Sequence, residues 1–64
     1  MFTLTIKTDS AAFDLDAGGV SAELARILRD LALRIDRGSD VLHVQTGSLY
    51  DINGNRVGEW RFDA

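Results

Sequence analysis

The chain has 64 residues, no cysteine, and ten acidic against seven basic side chains, which gives a net charge of −3. A domain of this size buries only about 60% of its unfolded surface, so it has one small core and little room for a catalytic pocket. The composition excludes disulfides and thiolate metal sites, and the charge is the reverse of the basic excess of nucleic-acid-binding proteins. No apolar run approaches the length of a membrane span, so we expect one soluble, intracellular domain over residues 1–64.

The first segment, FTLTIKT from Phe2 to Thr8, alternates apolar and polar side chains. A period of two with β-branched and aromatic residues predicts a strand with one buried face. Phe2, Leu4 and Ile6 should face the core. The polar side should remain open to solvent or a partner, with Thr3, Thr5 and Lys7 on it.

The next segment, Asp9 to Gly19, has no sustained period and ends in a glycine pair. It is too long for a tight turn, so we expect it to wrap over an edge of the core. Phe13 and Leu15 are its predicted anchors. The glycines then let the chain turn into the following helix.

The segment from Val20 to Arg37 is the predicted helix, with Ser21 as candidate N-cap and Gly38 after its end. Leu33 lies nearly opposite the apolar stripe and could border a partner contact. The stripe repeats with the helical period, and its members are Val20, Leu24, Ile27, Leu28, Leu31 and Ile35.

Two further strands follow the helix. VLHVQTGSLY, Val41 to Tyr50, predicts a strand with a bulge or bend at Gly47-Ser48, and NRVGEWRF, Asn55 to Phe62, predicts the last strand. Trp60 should be the largest core side chain of this pair. A bulge near Gly58 would be needed to bring Val57 to the same face as Trp60 and Phe62.

The residues between these strands, Asp51 to Gly54, contain Asn-Gly, the strongest short signal for a hairpin. Two turns fit. A type I turn with a glycine bulge pairs Leu49 with Val57, whereas a two-residue type I′ turn pairs Asp51 with Arg56.

The resulting order, β-α-β-β, predicts an α+β fold in which one helix packs on a three-stranded, mainly antiparallel sheet. We favour strand order 1-3-2, because GEWRF is typical of a central strand. The alternative places strand 2 in the middle and creates one parallel pair through a right-handed crossover.

Residues that could carry chemistry are few. Asp51, Asn53 and Asn55 match the first ligand positions of a calcium loop, but Arg56 and Phe62 occupy the positions of its glycine and acidic ligand, so a turn with Asx hydrogen bonds is favoured. His43 is the only histidine. We therefore expect no catalytic residues, no metal and no cofactor, and interpret the protein as a binding domain rather than an enzyme.

The charge distribution suggests one binding surface. Residues 9 to 25 carry a charge of −4 with no base, whereas residues 26 to 37 hold four arginines against two aspartates. An acidic surface can occupy a basic cleft that normally holds nucleic acid, in an association that salt weakens. The candidate partner-binding residues are Asp9, Asp14, Asp16 and Glu23.

Three segments, TIKTDSAAF, ELARILRDLALRI and DINGNRVGEWRF, resemble those of small phage and prophage proteins. The compact, acidic α/β chain is similar to type I anti-CRISPR proteins, among them the type I-C inhibitors. This resemblance implies a cytoplasmic, non-enzymatic inhibitor that binds a Cas subunit of a type I Cascade complex in the bacterial host and blocks DNA recognition, with acidic residues imitating DNA.

The expected partner is thus a protein, with no direct binding to nucleic acid or membrane. We expect a monomer. The alternative is a small homodimeric phage accessory domain whose partner face is the open sheet face or the Leu33 side of the helix.

Overall fold

One α-helix, two short 3-10 helices and three strands make up the computed structural model, which describes residues 1–37 and 46–63. In chain order these are strand β1 (Phe2–Ile6), two 3-10 helices (Ala11–Phe13 and Leu15–Ala17), helix α1 (Gly19–Arg37), and strands β2 (Thr46–Tyr50) and β3 (Arg56–Phe62). The described residues do not include Gly38 or residues 41–45 of the predicted second strand, which contain His43.

The sheet order is β1-β3-β2, with both pairs antiparallel. The predicted α+β class, the β-α-β-β layout and the 1-3-2 order are therefore confirmed. β3 lies in the centre, as its apolar pattern predicted. Phe2 pairs with Phe62 and Leu4 with Trp60, which aligns the apolar sides of β1 and β3 on one face.

Trp60 is the aromatic centre of this face. Its side chain is 3% exposed, and its ring stacks on Phe2 with the centroids 5.9 Å apart. The indole lies over Gly47, where any Cβ would overlap the ring. Gly47 pairs in register with Trp60, so the predicted bulge at Gly47-Ser48 is wrong: this glycine makes room for the indole and does not bend the strand.

The hairpin turn is the type I turn with a left-handed glycine, not the type I′ turn. The Gly54 N–H donates to the Asp51 carbonyl oxygen at 3.0 Å, and Gly54 has a φ of +87°. Tyr50 pairs with Arg56, but Leu49 then pairs with Gly58, so Val57 is an additional residue in β3. This bulge displaces the predicted Leu49–Val57 pair.

The bulge also turns Val57 inward, as predicted, and its side chain is 6% exposed. Gly58 follows it at the closest approach to β1. A Cβ there would overlap the Thr5 carbonyl oxygen and lie 3.0 Å from Ile6 Cα. Only glycine fits between the two strands at this position.

Helix α1 begins at Gly19, two residues before the predicted N-cap Ser21. Its most buried positions follow at steps of four and include Glu23, Ile27 and Leu31. Three members of the predicted stripe are more exposed than expected, because the helix meets the rest of the core along a narrow line. They are Val20 at 45%, Leu28 at 39% and Ile35 at 37%.

Beneath the helix, the core is completed by the segment before it and by the hairpin. Phe13 is 4% exposed, as its predicted role as an anchor requires, and Leu49 is fully buried. Leu15, the second predicted anchor, is 91% exposed, so that prediction is wrong. The extended backbone of Asp14 separates the two 3-10 helices and directs Leu15 away from the core.

Candidate functional site

The segment between β1 and α1, residues 9–18, is called the acidic loop below. Its backbone is held by its own hydrogen bonds: the Asp14 carbonyl oxygen accepts the N–H groups of Ala17 at 3.0 Å and of Gly19 at 2.8 Å. Ala12 and Phe13 fix it to the core. The loop therefore presents its outer side chains from a defined backbone.

Asp9, Asp14 and Asp16 all lie exposed on this loop. In residues 1–37 and 46–63, no ion pair and no side-chain hydrogen bond involves any of the three. Three other exposed acids do have arginine partners: Asp30 with Arg26, Glu59 with Arg56, and Asp63 with Arg61. The acidic loop thus holds carboxylates that the rest of the described chain does not neutralise.

Leu15 projects from the loop between Asp14 and Asp16 and is 91% exposed. An apolar side chain of this size gains roughly 2 kcal/mol when a partner buries it fully. Its neighbours in the sequence, Asp14 and Asp16, are exposed carboxylates, so the loop carries an apolar side chain among acidic ones. Periodicity could not reveal this feature, because two single 3-10 turns have no repeating face.

Glu23, the fourth predicted binding residue, is not on this surface. It is 5% exposed, and its carboxylate accepts hydrogen bonds from Arg26 Nε at 2.8 Å and Nη2 at 3.0 Å. It also accepts the backbone N–H of Ile52 at 2.7 Å. The expectation that Glu23 faces outward is wrong, since its charge joins the helix to the hairpin turn.

The contacts of Glu23 also determine the direction in which its pKa is shifted. The hydrogen bonds from Arg26 hold the pKa of the Glu23 carboxyl below its ordinary value, although burial opposes them and the Ile52 N–H adds to them. Arg26 also donates to the Tyr50 carbonyl oxygen at 3.2 Å. The Glu23–Arg26 pair is therefore a charged clamp on the end of the hairpin.

Asp51 is a second buried carboxylate, 4% exposed. It accepts the N–H groups of Asn53 and Asn55, each at 2.9 Å, and the Ser10 hydroxyl at 2.8 Å. Burial alone would raise its pKa, but these hydrogen bonds together hold the pKa of Asp51 below its ordinary value. The Asx interpretation of DINGN is confirmed, and the Ser10 contact ties this turn to the acidic loop.

Two other features, a metal site and a membrane-spanning helix, are not found in the part of the chain that the structure describes. No group of three histidine, cysteine, aspartate or glutamate side chains there could hold a metal ion. Within the same residues, no helix is both long and apolar enough to cross a bilayer. The open sheet face is polar, with Thr3, Arg61 and Thr46 in one cross-strand row.

Comparison with known proteins does not assign this chain to a family. No protein-family model, no curated protein and no solved structure matches the chain. The functional argument therefore depends on the exposed side chains themselves.

Proposed function

We propose that this protein is a phage-type, non-enzymatic inhibitor that binds a bacterial CRISPR surveillance complex through its acidic loop and blocks DNA recognition. It acts in the host cytoplasm, on a Cas subunit of a type I Cascade complex. The protein itself does not bind nucleic acid. The class of partner is what the resemblance of three segments to small phage proteins implies, and the acidic loop supports the mode of binding.

The observation that carries this proposal is the state of the three loop aspartates. Asp9, Asp14 and Asp16 have no cationic partner in the described residues. Of the exposed acids outside the loop there, Asp30, Glu59 and Asp63 each have one and Asp36 does not. Exposed carboxylates on a fixed backbone can take the places of phosphates in a basic cleft, and they accelerate association with it.

Leu15 supports a protein partner over simple charge attraction. Binding energy at protein interfaces is concentrated in a few side chains that become fully desolvated, surrounded by energetically near-neutral contacts that exclude water. Leu15 is 91% exposed and lies between two aspartates in the sequence, so a partner that buries it would desolvate an apolar side chain beside two carboxylates. We therefore expect the partner surface to combine an apolar pocket with a basic rim.

The test is a pull-down of purified Cascade with the immobilised protein, in the presence and absence of target DNA. Wild-type protein should retain the complex, and target DNA should compete. The double variant Asp14→Lys and Asp16→Lys should lose the complex. Unchanged retention by this variant would refute binding through the acidic loop.

A matched control separates local contact from net charge. Glu59→Lys with Asp63→Lys changes the net charge by the same amount at two exposed acids, one in β3 and one directly after it. This variant should retain Cascade. Loss of binding by both double variants would show that overall charge, not the loop, is responsible.

The second candidate function is a homodimeric phage accessory domain. Leu33 is 52% exposed on the outward side of α1, and this observation favours the candidate. Sedimentation and binding assays distinguish the two: the inhibitor must bind Cascade, whereas the accessory domain forms a dimer and leaves Cascade unbound.

A further inference from the structure

The outward face of α1 near its C-terminal end carries one exposed leucine, Leu33, between the charged side chains of Arg29 and Asp36. Arg29, Ala32, Leu33, Ile35 and Asp36 line a shallow groove there. Arg29, Ala32, Leu33 and Asp36 all lie on the side of the helix opposite the buried residues Ile27 and Leu31, because each residue advances the helix by about 100°. Solvent-facing helix surfaces normally carry mostly polar side chains.

The two charges of this groove have no partners within the described chain. Arg29 and Asp36 are both exposed, and no ion pair among residues 1–37 and 46–63 includes either one. They are seven residues apart, so about 10 Å of helix separates them along one face. Between them, at the i+3 and i+4 positions of Arg29, lie Ala32 and Leu33.

This arrangement is self-complementary under two-fold symmetry. If two copies of α1 lie antiparallel with the axis between positions 32 and 33, Arg29 of one copy lies opposite Asp36 of the other, and the same pair forms again across the axis. Ala32 of each copy then lies opposite Leu33 of its partner. A single face thus supplies two ion pairs and an apolar centre.

We propose that two copies of this chain associate through this face, antiparallel, with Leu33 at the centre and the Arg29–Asp36 pairs fixing the register. The occupant of the groove is a second copy of the chain. Contact through two helix turns is small, so the dimer is weak and depends on concentration. This proposal differs from the expectation of a monomer, and the measurements below decide between them.

The dimer does not depend on the proposed inhibitor function. The acidic loop precedes the N-terminus of α1, whereas the groove lies in its last two turns. A 19-residue helix is about 28 Å long, so the two surfaces are well separated. A dimer would carry two acidic loops.

The first test is sedimentation velocity of the full chain from micromolar to millimolar concentration. Wild-type protein should shift from monomer to dimer over this range. Leu33→Asp should remain a monomer, and the same substitution at another exposed leucine, Leu15→Asp, should leave the dimer unchanged. A wild-type monomer at every concentration, or equal effects of the two substitutions, would overturn the proposal.

The second test exchanges the charges. Arg29→Asp and Asp36→Arg each place like charges opposite one another, so each variant alone should raise the dissociation constant at least about tenfold. An equimolar mixture of the two variants should form a heterodimer, since each charge then meets its opposite. Melting temperatures near the wild-type value confirm that both variants fold.

Absence of a heterodimer in the mixture, with both variants folded, would overturn the antiparallel register. Cascade binding gives a separate readout. Leu33→Asp should keep it and Asp14→Lys with Asp16→Lys should lose it, so failure of the dimer and failure of the inhibitor function are distinguishable.

Discussion

Replacing Glu23 by glutamine tests whether its charge clamps the helix to the hairpin. Glutamine has nearly the same shape and can still accept the Ile52 N–H, but it cannot pair as an anion with Arg26. Hydrogen bonds to a charged group contribute about 1.5–3 kcal/mol, and glutamine retains part of them. We therefore expect Glu23→Gln to lower the free energy of unfolding by about 1–2 kcal/mol.

The chain offers a matched control at the same arginine. Asp30 also pairs with Arg26, at 3.1 Å, but its side chain is 58% exposed. An exposed helix pair contributes only about 0.3–0.5 kcal/mol, so Asp30→Asn should change stability little. In a domain of this size, 1 kcal/mol corresponds to about 4–8 °C in melting temperature, and thermal unfolding followed by circular dichroism separates the two variants.

The pH dependence of the free energy of unfolding tests the role of Glu23 independently. Because folding lowers the pKa of Glu23, its contribution is fully present above the ordinary glutamate pKa and is lost as the pH falls through the folded-state pKa. Wild-type protein should therefore lose more stability on acidification than Glu23→Gln. Equal losses in Glu23→Gln and Asp30→Asn, or the same pH profile for wild type and Glu23→Gln, would refute the clamp.

Three further substitutions test the packing of the sheet and the turn. Gly58→Ala should lower the free energy of unfolding by about 3 kcal/mol in denaturant titrations, because the new methyl group meets the β1 backbone. Gly54→Ala meets no atom and should cost only about 1–2 kcal/mol, the strain of a left-handed alanine. A larger loss at Gly54 than at Gly58 would contradict this order. Asp51→Asn should reduce the acid sensitivity of folding, since the lowered pKa of Asp51 makes its contribution disappear as the pH falls through its folded-state value; an unchanged acid transition would count against that role.

The sheet was predictable because its signals are local. Each signal involves residues that are neighbours in the sequence. They are the alternation from Phe2 to Ile6, the Asn-Gly pair between two strand patterns, and the opposite parity of Val57 and Trp60. These signals favoured the 1-3-2 order and predicted the inward bulge, but they left the type I and type I′ turns open, and the structure decides for type I. The bulge position was predicted to within one residue, although the second bulge, at Gly47-Ser48, was not found.

The burial of Glu23 was not predictable in this way. Hydrophobic periodicity assigns a glutamate to the outside, and the group that justifies its burial, the Ile52 N–H, lies 29 residues further along the chain. The prediction that Leu15 is buried was wrong for the opposite reason. Its apolar character predicts burial, but Phe13 already fills the core beside Ala12, and the loop places Leu15 outside.

These two errors reshape the candidate site. Without Glu23, the acidic surface consists of Asp9, Asp14 and Asp16, and with Leu15 it gains an apolar centre. The sequence alone indicated an extended run of negative charge along the helix start. The structure describes a smaller surface, confined to the acidic loop.

The most direct test of the proposed function is the affinity for purified type I Cascade, measured by calorimetry at increasing salt concentration. Wild-type protein should bind, and its affinity should fall as salt screens the loop carboxylates. Asp14→Lys with Asp16→Lys should weaken binding at least about tenfold at low salt, while Glu59→Lys with Asp63→Lys should bind like wild type. No binding by wild type, or equal affinity of the two double variants, would contradict inhibition through the acidic loop.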